Sequence, residues 1–224
     1  MSKLNNSLYS SDDHTWQTPP EIYRPLLDFL GTDHFQVDVC TSSAKNIPAA
    51  AHITPEGIIG VFDGEKVGFP DHNLTVCLSG DGLNTQWPDE GYCWMNPPYG
   101  TALKTWLKKA YEESLKGAKV WALVPARTET NYQHEYGLSK AGLIIFLSGR
   151  ICFHKNGQPH AIINKKTGKA EAGNAPFPTM LLYYGDNAQE LYNRWIASPP
   201  LPGTAFLNLR YQDGISKFRE RKGQ

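Results

Sequence analysis

The chain alternates between short apolar runs and longer amphipathic segments. Short runs rich in β-branched and aromatic residues predict strands, whereas apolar residues repeated every three to four positions predict helices. The predicted strands cover residues 35–40, 92–95, 120–124, 143–148, 150–154 and 179–184, and the predicted helices cover residues 18–30, 101–117, 130–141 and 187–197. This order is typical of an α/β domain with a mostly parallel sheet, an antiparallel edge and helices on both faces.

Capping residues mark the ends of two predicted helices. Thr18 can cap the first helix with Pro19 in its first turn, and Gly31 can end that helix. Asn187 and Glu190 form a similar pair at the start of the last predicted helix. We therefore expect both helices to have defined ends.

Length and composition are those of one globular domain. The chain has 224 residues, of which 40% are hydrophobic and 20% charged, so it can bury a core. We interpret residues 1–224 as one domain with a polar segment at 1–14 and a C-terminal extension at 198–224. No apolar run approaches the roughly 18 residues of a membrane span, and the start lacks the apolar centre of a secretory signal. These features predict a cytoplasmic protein.

The cysteines and histidines do not form a metal-binding pattern. The four cysteines are far apart and lack a C-x-x-C pair, and the seven histidines lack an H-x-x-x-H pair. Three of the cysteines lie in apolar, strand-like runs. We therefore expect buried free thiols and no metal site.

Positive charge is segregated along the chain although the totals balance. Lysines plus arginines and aspartates plus glutamates number 22 each, but residues 136–170 contain no acidic side chain. The basic residues of this acid-free segment are Lys140, Arg150, Lys155, Lys165, Lys166 and Lys169. Such segregation favours contact with nucleic-acid phosphates, and an ordinary solvated loop is the alternative.

The tetrad Asn96-Pro97-Pro98-Tyr99 follows the predicted strand at 92–95 and suits methyl transfer to a planar amine. Such a nitrogen is a poor nucleophile because its lone pair is delocalised, so a catalyst needs two acceptors for its N–H groups. The Asn96 side-chain oxygen and the Pro97 carbonyl can be those acceptors, and Pro98 keeps that carbonyl out of helical geometry. The Tyr99 ring can stack on a base rotated out of its duplex.

Several motifs in order give the chain a resemblance to the Dam-type DNA N6-adenine methyltransferases of phages and prophages. The similarity runs from about residue 16 to residue 184, and its motifs are WQTP at 16–19, VDVC at 37–40, DGL at 81–83 with Trp87, WMNPPYG at 94–100, LVPART at 123–128 and the stretch 146–153. The resemblance implies a Rossmann-like S-adenosylmethionine-dependent methyltransferase fold, S-adenosylmethionine as cofactor, double-stranded DNA as partner and 96–99 as the catalytic loop.

Cofactor contacts are expected where loops leave the predicted strands. With the resemblance, the expected contacts are Trp16, Thr18, Pro19, Asp38, Cys40, Asp81 and Asn96. The glycine-rich turn common in methyltransferases is absent from residues 38–43. Each position also has a simpler interpretation: Asp38 can be satisfied by nearby turn amides, Asp81 can belong to an ordinary Asp-Gly turn, and Thr18 can serve only as a cap.

DNA contacts are predicted on the same edge and in the acid-free segment. Arg127 and Thr128 follow a predicted strand that should end beside Asn96, and a surface ion pair is the alternative role for that arginine. The other expected contacts are Arg150, Lys165 and Lys166. Residues 154–176, with turns at Asn156-Gly157 and Thr167-Gly168, are expected to take part in target recognition.

Two other functions remain open from the sequence. The same acceptor pair suits a cytosine N4 amine or a protein glutamine, and a DNA-binding or virion-associated protein could keep the fold without catalysis. An Asn at the start of the tetrad favours adenine through the resemblance. A restriction-modification setting is one expectation for the methylation, while the sequence leaves the DNA word and the oligomeric state open.

Overall fold

A computed structural model describes residues 16–41, 47–54, 57–60 and 81–211. Within these residues the strands are β1 Phe35–Asp38, β2 Ala49–Thr54, β3 Gly57–Gly60, β4 Cys93–Met95, β5 Val120–Pro125, β6 Leu143–Leu147, β7 His154–Lys155, β8 Gln158–Pro159, β9 Ala161–Ile163, β10 Ala170–Ala172, β11 Thr179–Tyr184 and β12 Gly203–Leu207. The helices are α1 Pro20–Leu30, α2 Leu103–Ser114, α3 Ala188–Ala197 and a five-residue π-helix, Gln133–Gly137.

Eight of the described strands form one mixed sheet in the order β12-β6-β11-β5-β4-β1-β2-β3. The neighbours β5, β4, β1 and β2 are parallel. Antiparallel pairings add β3 on one side and β11, β6 and β12 on the other. The predicted parallel centre is confirmed, and the antiparallel part is larger than expected because it occupies both edges.

Helices cover both faces of the sheet, as predicted. Leu26 of α1 and Trp195 of α3 pack in one buried cluster with Trp121 of β5. Leu107 of α2 packs in a second cluster with Val120, the preceding residue of the same strand. Because successive strand residues point to opposite faces, the two clusters lie on the two sides of the sheet.

The helix starts differ from the predicted caps. α1 begins at Pro20 with Pro19 as its N-cap, so the predicted capping by Thr18 is wrong by one position. A proline at the first helical position fits because its missing N–H needs no partner there. Gly31 ends α1 as predicted, in a left-handed conformation with φ 75°. Asn187 is the N-cap of α3, but its side-chain oxygen accepts from the Tyr183 hydroxyl rather than from the helix.

Several late elements also differ from the prediction. The predicted strand at 150–154 is a loop that becomes a strand only at His154, and the predicted helix at 130–141 contains the short π-helix. Gly203–Leu207, inside the expected C-terminal extension, pairs with β6 as an edge strand. The preceding proline-rich stretch obscures this strand because prolines are typical of loops.

The three described cysteines carry free thiols, Cys93 being buried and Cys40 and Cys152 partly buried. Cys77 lies outside the described residues, as does the predicted polar segment at 1–14. In the part of the chain that the structure describes, no helix has the length and hydropathy of a membrane crossing.

Candidate active site at the carboxyl ends of the parallel strands

The carboxyl ends of β1, β4 and β5 lie side by side. Asp38 is in register with Trp94 of β4, and Met95 is in register with Ala122 of β5. The Val39 N–H donates to the Trp94 carbonyl at 3.0 Å, which continues the pairing beyond β1. The predicted placement of Asp38 and Asn96 at the carboxyl ends of neighbouring parallel strands is therefore confirmed.

Two hydrogen bonds fix the side chain of Asn96. Its Nδ2 donates to the backbone carbonyl of Trp16 over a long contact of 3.4 Å, and its Oδ1 accepts from the Tyr99 hydroxyl at 2.8 Å. A carbonyl can only accept, so the amide nitrogen must face Trp16 and the oxygen must face Tyr99. The Asn96 oxygen keeps a second lone pair, so it can still accept a hydrogen bond from a substrate amine.

The Tyr99 ring is held from the side. It packs edge-on against Phe153 and Phe177, with ring centroids 6.1 and 5.5 Å apart. Its hydroxyl also reaches the Leu123 carbonyl at 3.3 Å. Burial, followed by the effect of Cys40, raises the pKa of Tyr99 well above its usual range, so the hydroxyl stays protonated and remains a donor. The hydroxyl thus orients Asn96, a role that the sequence did not suggest.

Asp38 is a buried carboxyl group. It is 4% exposed, and its Oδ1 accepts from the Cys40 N–H at 3.4 Å. Burial raises the pKa of Asp38 to about 7, although hydrogen bonds from Cys40 and Thr41 oppose the shift. Turn amides and hydroxyls therefore satisfy this carboxyl only in part, and further donors would stabilise its charged form.

Cys40 interacts with Asp38 and with the backbone of Asn96, the first residue of the tetrad. Burial and then the Asp38 charge raise the pKa of the Cys40 thiol well above its usual range. A hydrogen bond from the Asn96 backbone N–H to the sulfur opposes this shift. This thiol is therefore protonated at neutral pH and is not a nucleophile.

The Asp81-Gly82 turn packs tightly behind this edge. A side chain on Gly82 would place its first carbon 2.0 Å from the Val39 carbonyl oxygen and 2.9 Å from the Trp106 ring, so only glycine fits. The Asp81 carboxylate accepts from the Leu83 N–H at 2.9 Å and from the Asn84 side chain at 2.7 Å. Asp81 thus has the turn role considered from the sequence, and its predicted cofactor contact stays a prediction.

The predicted DNA-contacting side chains are exposed. Arg127 and Thr128 follow β5 on the same edge as Asn96, and no ion pair of Arg127 occurs among the described residues. Lys165 and Lys166 lie in the exposed turn that joins β9 to β10. Arg150 is exposed in the loop after β6. The predicted contacts therefore occupy separate loops.

Sequence reasoning missed the residues that support Asn96. The expected cofactor contact of Trp16 stays a prediction, and its backbone carbonyl accepts a hydrogen bond from Asn96, which was not expected. Gln17, the next residue, is buried and bonded to residues far along the chain. The only local signal was its place inside the WQTP motif.

An α/β domain with this loop at the carboxyl ends of its parallel strands has an architecture compatible with the methyltransferases. The family model described as DNA N-6-adenine-methyltransferase (Dam) matches residues 73–193, which is more than half of the chain. The chain belongs to this family, so the resemblance noted from the sequence is confirmed. A search of curated proteins found no match.

Proposed function

We propose that the protein transfers a methyl group from S-adenosylmethionine to the N6 amine of adenine in double-stranded DNA. The observation that carries the proposal is the fixed amide of Asn96, whose Oδ1 accepts from Tyr99 at 2.8 Å and keeps one lone pair. Membership of the DNA N-6-adenine-methyltransferase family supports adenine over cytosine or a protein side chain as the methylated group.

In the proposed mechanism, the Asn96 side-chain oxygen and the Pro97 carbonyl oxygen accept hydrogen bonds from the two N–H groups of the adenine amine. This pair holds the amine so that its lone pair leaves conjugation with the ring and can attack the methyl carbon, after which the amine would release one of its two N–H protons to water. The adenine is rotated out of its duplex to reach the loop, where the Tyr99 ring is available for stacking. S-adenosylmethionine, when bound, supplies a methyl group on a sulfonium leaving group, so positioning provides much of the acceleration.

The residues at the edge fit this cofactor. Asp38 is a buried carboxyl with a pKa near neutrality, and donors such as ribose hydroxyls or an ammonium group would stabilise its charged form. Thr18 and Pro19 are buried directly before α1, beside the Trp16 carbonyl that holds Asn96. We propose that these residues hold the cofactor together with Trp16, Cys40 and Asp81.

Exposed basic loops would hold the DNA backbone. Arg127 and Thr128 would contact phosphates near the flipped base, and Arg150, Lys165 and Lys166 would contact phosphates farther away. The balanced total charge of 22 basic and 22 acidic residues makes this placement matter, because the chain as a whole does not attract DNA. A phage or prophage setting, with methylation in a restriction-modification context, rests on the resemblance.

The direct test is mass spectrometry of nucleosides from unmethylated duplex DNA incubated with the protein and S-adenosylmethionine. We expect N6-methyladenine from the native protein, and at least about a hundredfold less from Asn96→Ala. Asn193→Ala, at an exposed position of α3, is the matched control and should retain activity. Methylated cytosine would refute the proposed substrate, and equal activity of Asn96→Ala would refute the mechanism.

A further inference from the structure

The Trp16-Gln17 segment joins the catalytic loop to the β7–β8 hairpin. Asn96 donates its side-chain N–H to the carbonyl of Trp16. The next residue, Gln17, exchanges two backbone hydrogen bonds with His154 at the start of the hairpin, of 3.0 and 2.9 Å. Trp16, which holds Asn96, is therefore the direct neighbour of Gln17, which pairs with the first hairpin strand.

The side chain of Gln17 adds a link to the tip of the hairpin. Gln17 is 4% exposed, and its Oε1 accepts from the Gly157 N–H at 2.8 Å. Asn156 and Gly157 form the turn with φ values of 53° and 75°, the backbone twist that two-residue hairpin turns prefer. The same buried residue thus holds the base of the hairpin through its backbone and the tip through its side chain.

The ring of Trp16 also contacts the hairpin and the residue that follows it. It packs edge-on against His160 with centroids 4.8 Å apart, and the Lys155 ammonium lies 5.6 Å from its centroid. His160 follows β8, whereas Lys155 belongs to β7. The two-residue segment therefore contacts both sides of the hairpin.

We propose that Gln17 is a positioning residue for methyl transfer, which couples the β7–β8 hairpin to the orientation of Asn96. The inference rests on the proposed function. The hairpin lies in the acid-free segment and carries Lys155, so its position suits contact with a DNA phosphate. A shift of the hairpin moves Gln17, and hence the Trp16 carbonyl that receives Asn96. Gln17 thereby keeps the Asn96 amide aligned when DNA contacts the hairpin.

The test uses two substitutions that separate the acceptor oxygen from side-chain volume. Gln17→Met keeps a chain of similar length and lacks the oxygen, whereas Gln17→Glu retains an acceptor for the Gly157 N–H. We expect kcat to fall at least about tenfold in Gln17→Met, because a small misplacement of a reacting group is costly. We expect Gln17→Glu to recover most of kcat.

Readouts besides activity distinguish positioning from loss of folding. The Kd for S-adenosylmethionine should rise by a smaller factor than kcat falls, because Thr18 and Pro19 lead directly into α1, whose buried face holds them in place. Amide hydrogen exchange at Gly157 should accelerate in Gln17→Met and stay slow in Gln17→Glu. Should Gln17→Met not accumulate as folded protein, Gln17→Asn withdraws the oxygen by one methylene and carries the same expectations.

The matched control is another buried glutamine. Gln133 is fully buried and donates to the Pro125 carbonyl at 3.2 Å, and no described hydrogen bond joins it to the Trp16-Gln17 segment. Gln133→Asn should lower Tm while leaving kcat per folded molecule unchanged. An unchanged kcat in Gln17→Met, a Gln17→Glu variant no better than Gln17→Met, or an equal kcat loss in Gln133→Asn at equal Tm would each overturn the inference. A native protein that forms no methylated base would instead overturn the proposed function, and this inference with it.

Discussion

The hydroxyl of Tyr99 can be tested separately from its ring. Tyr99→Phe removes the donor that reaches the Asn96 oxygen at 2.8 Å and the Leu123 carbonyl at 3.3 Å, while the edge-on contacts with Phe153 and Phe177 remain possible. A role confined to stacking predicts little change, because phenylalanine keeps the aromatic face. A role in orienting Asn96 predicts a large change.

The magnitude follows from the bond that is lost. One partly buried hydrogen bond contributes about 0.5–1.5 kcal/mol, and an unsatisfied buried partner costs about 1–3 kcal/mol. If about 1.4 kcal/mol of this held Asn96 in its productive orientation, kcat would fall about tenfold. We therefore expect Tyr99→Phe to lose about tenfold in kcat with a modest decrease in Tm, and Tyr99→Ala to lose more of both.

The assay is steady-state methylation with saturating S-adenosylmethionine and DNA, which gives kcat, combined with thermal unfolding. Tyr211→Phe is the control, because it removes another buried hydroxyl, bonded to the Ser114 side chain at 3.1 Å, in a region away from the loop. Wild-type kcat in Tyr99→Phe would refute the positioning role of the hydroxyl and leave stacking as the function of Tyr99.

Three further perturbations test the edge of the sheet and the basic turn. Burial raises the pKa of Asp38 to about 7, so its contribution to stability is full below the unfolded pKa and is lost as the pH rises towards 7. Asp38→Asn should therefore flatten the pH dependence of Tm. The same substitution should weaken S-adenosylmethionine binding most above neutral pH, where the Asp38 carboxyl is ionised. Identical pH profiles would contradict this. Gly82→Ala should cost about 1–3 kcal/mol in unfolding free energy, because its new carbon would lie 2.0 Å from the Val39 oxygen, and an unchanged denaturant midpoint would oppose that reasoning. Replacing Lys165 and Lys166 by Gln should make the salt dependence of DNA affinity shallower by about 1 to 2 in log–log slope, and an identical slope would exclude phosphate contacts there.

The sequence predicted the position of the loop at 96–99, after β4 and before α2, because every required signal was local. An apolar strand runs directly into Asn96, and the apolar pattern of the following helix marks the end of the loop. The carboxyl ends of parallel strands lie at the same end of the sheet, so the sequence alone placed Asp38 and Asn96 close together. The family match over residues 73–193 includes this loop.

The supports of Asn96 could not be predicted in this way, since they join residues distant in sequence. The bond from Asn96 to Trp16 spans 80 residues, and the bond from Gly157 to Gln17 spans 140 residues. Periodicity and capping describe neighbours along the chain and contain no information on such pairs. The edge strand Gly203–Leu207 was missed because a proline-rich stretch precedes it, and its pairing with β6 is likewise a contact between distant residues.

These long-range contacts show that residues outside the tetrad help to orient Asn96. Its first residue has two anchors, one from Tyr99 within the tetrad and one from Trp16 at the start of the described chain. The first anchor lies within the loop, whereas the second joins Asn96 to the segment before α1, which is hydrogen-bonded to the hairpin. We expect the tetrad without this segment to keep the acceptor oxygen and to lose the Trp16 anchor. We therefore expect catalysis in this chain to depend on the joint position of Gln17 and the β7–β8 hairpin as much as on the tetrad itself.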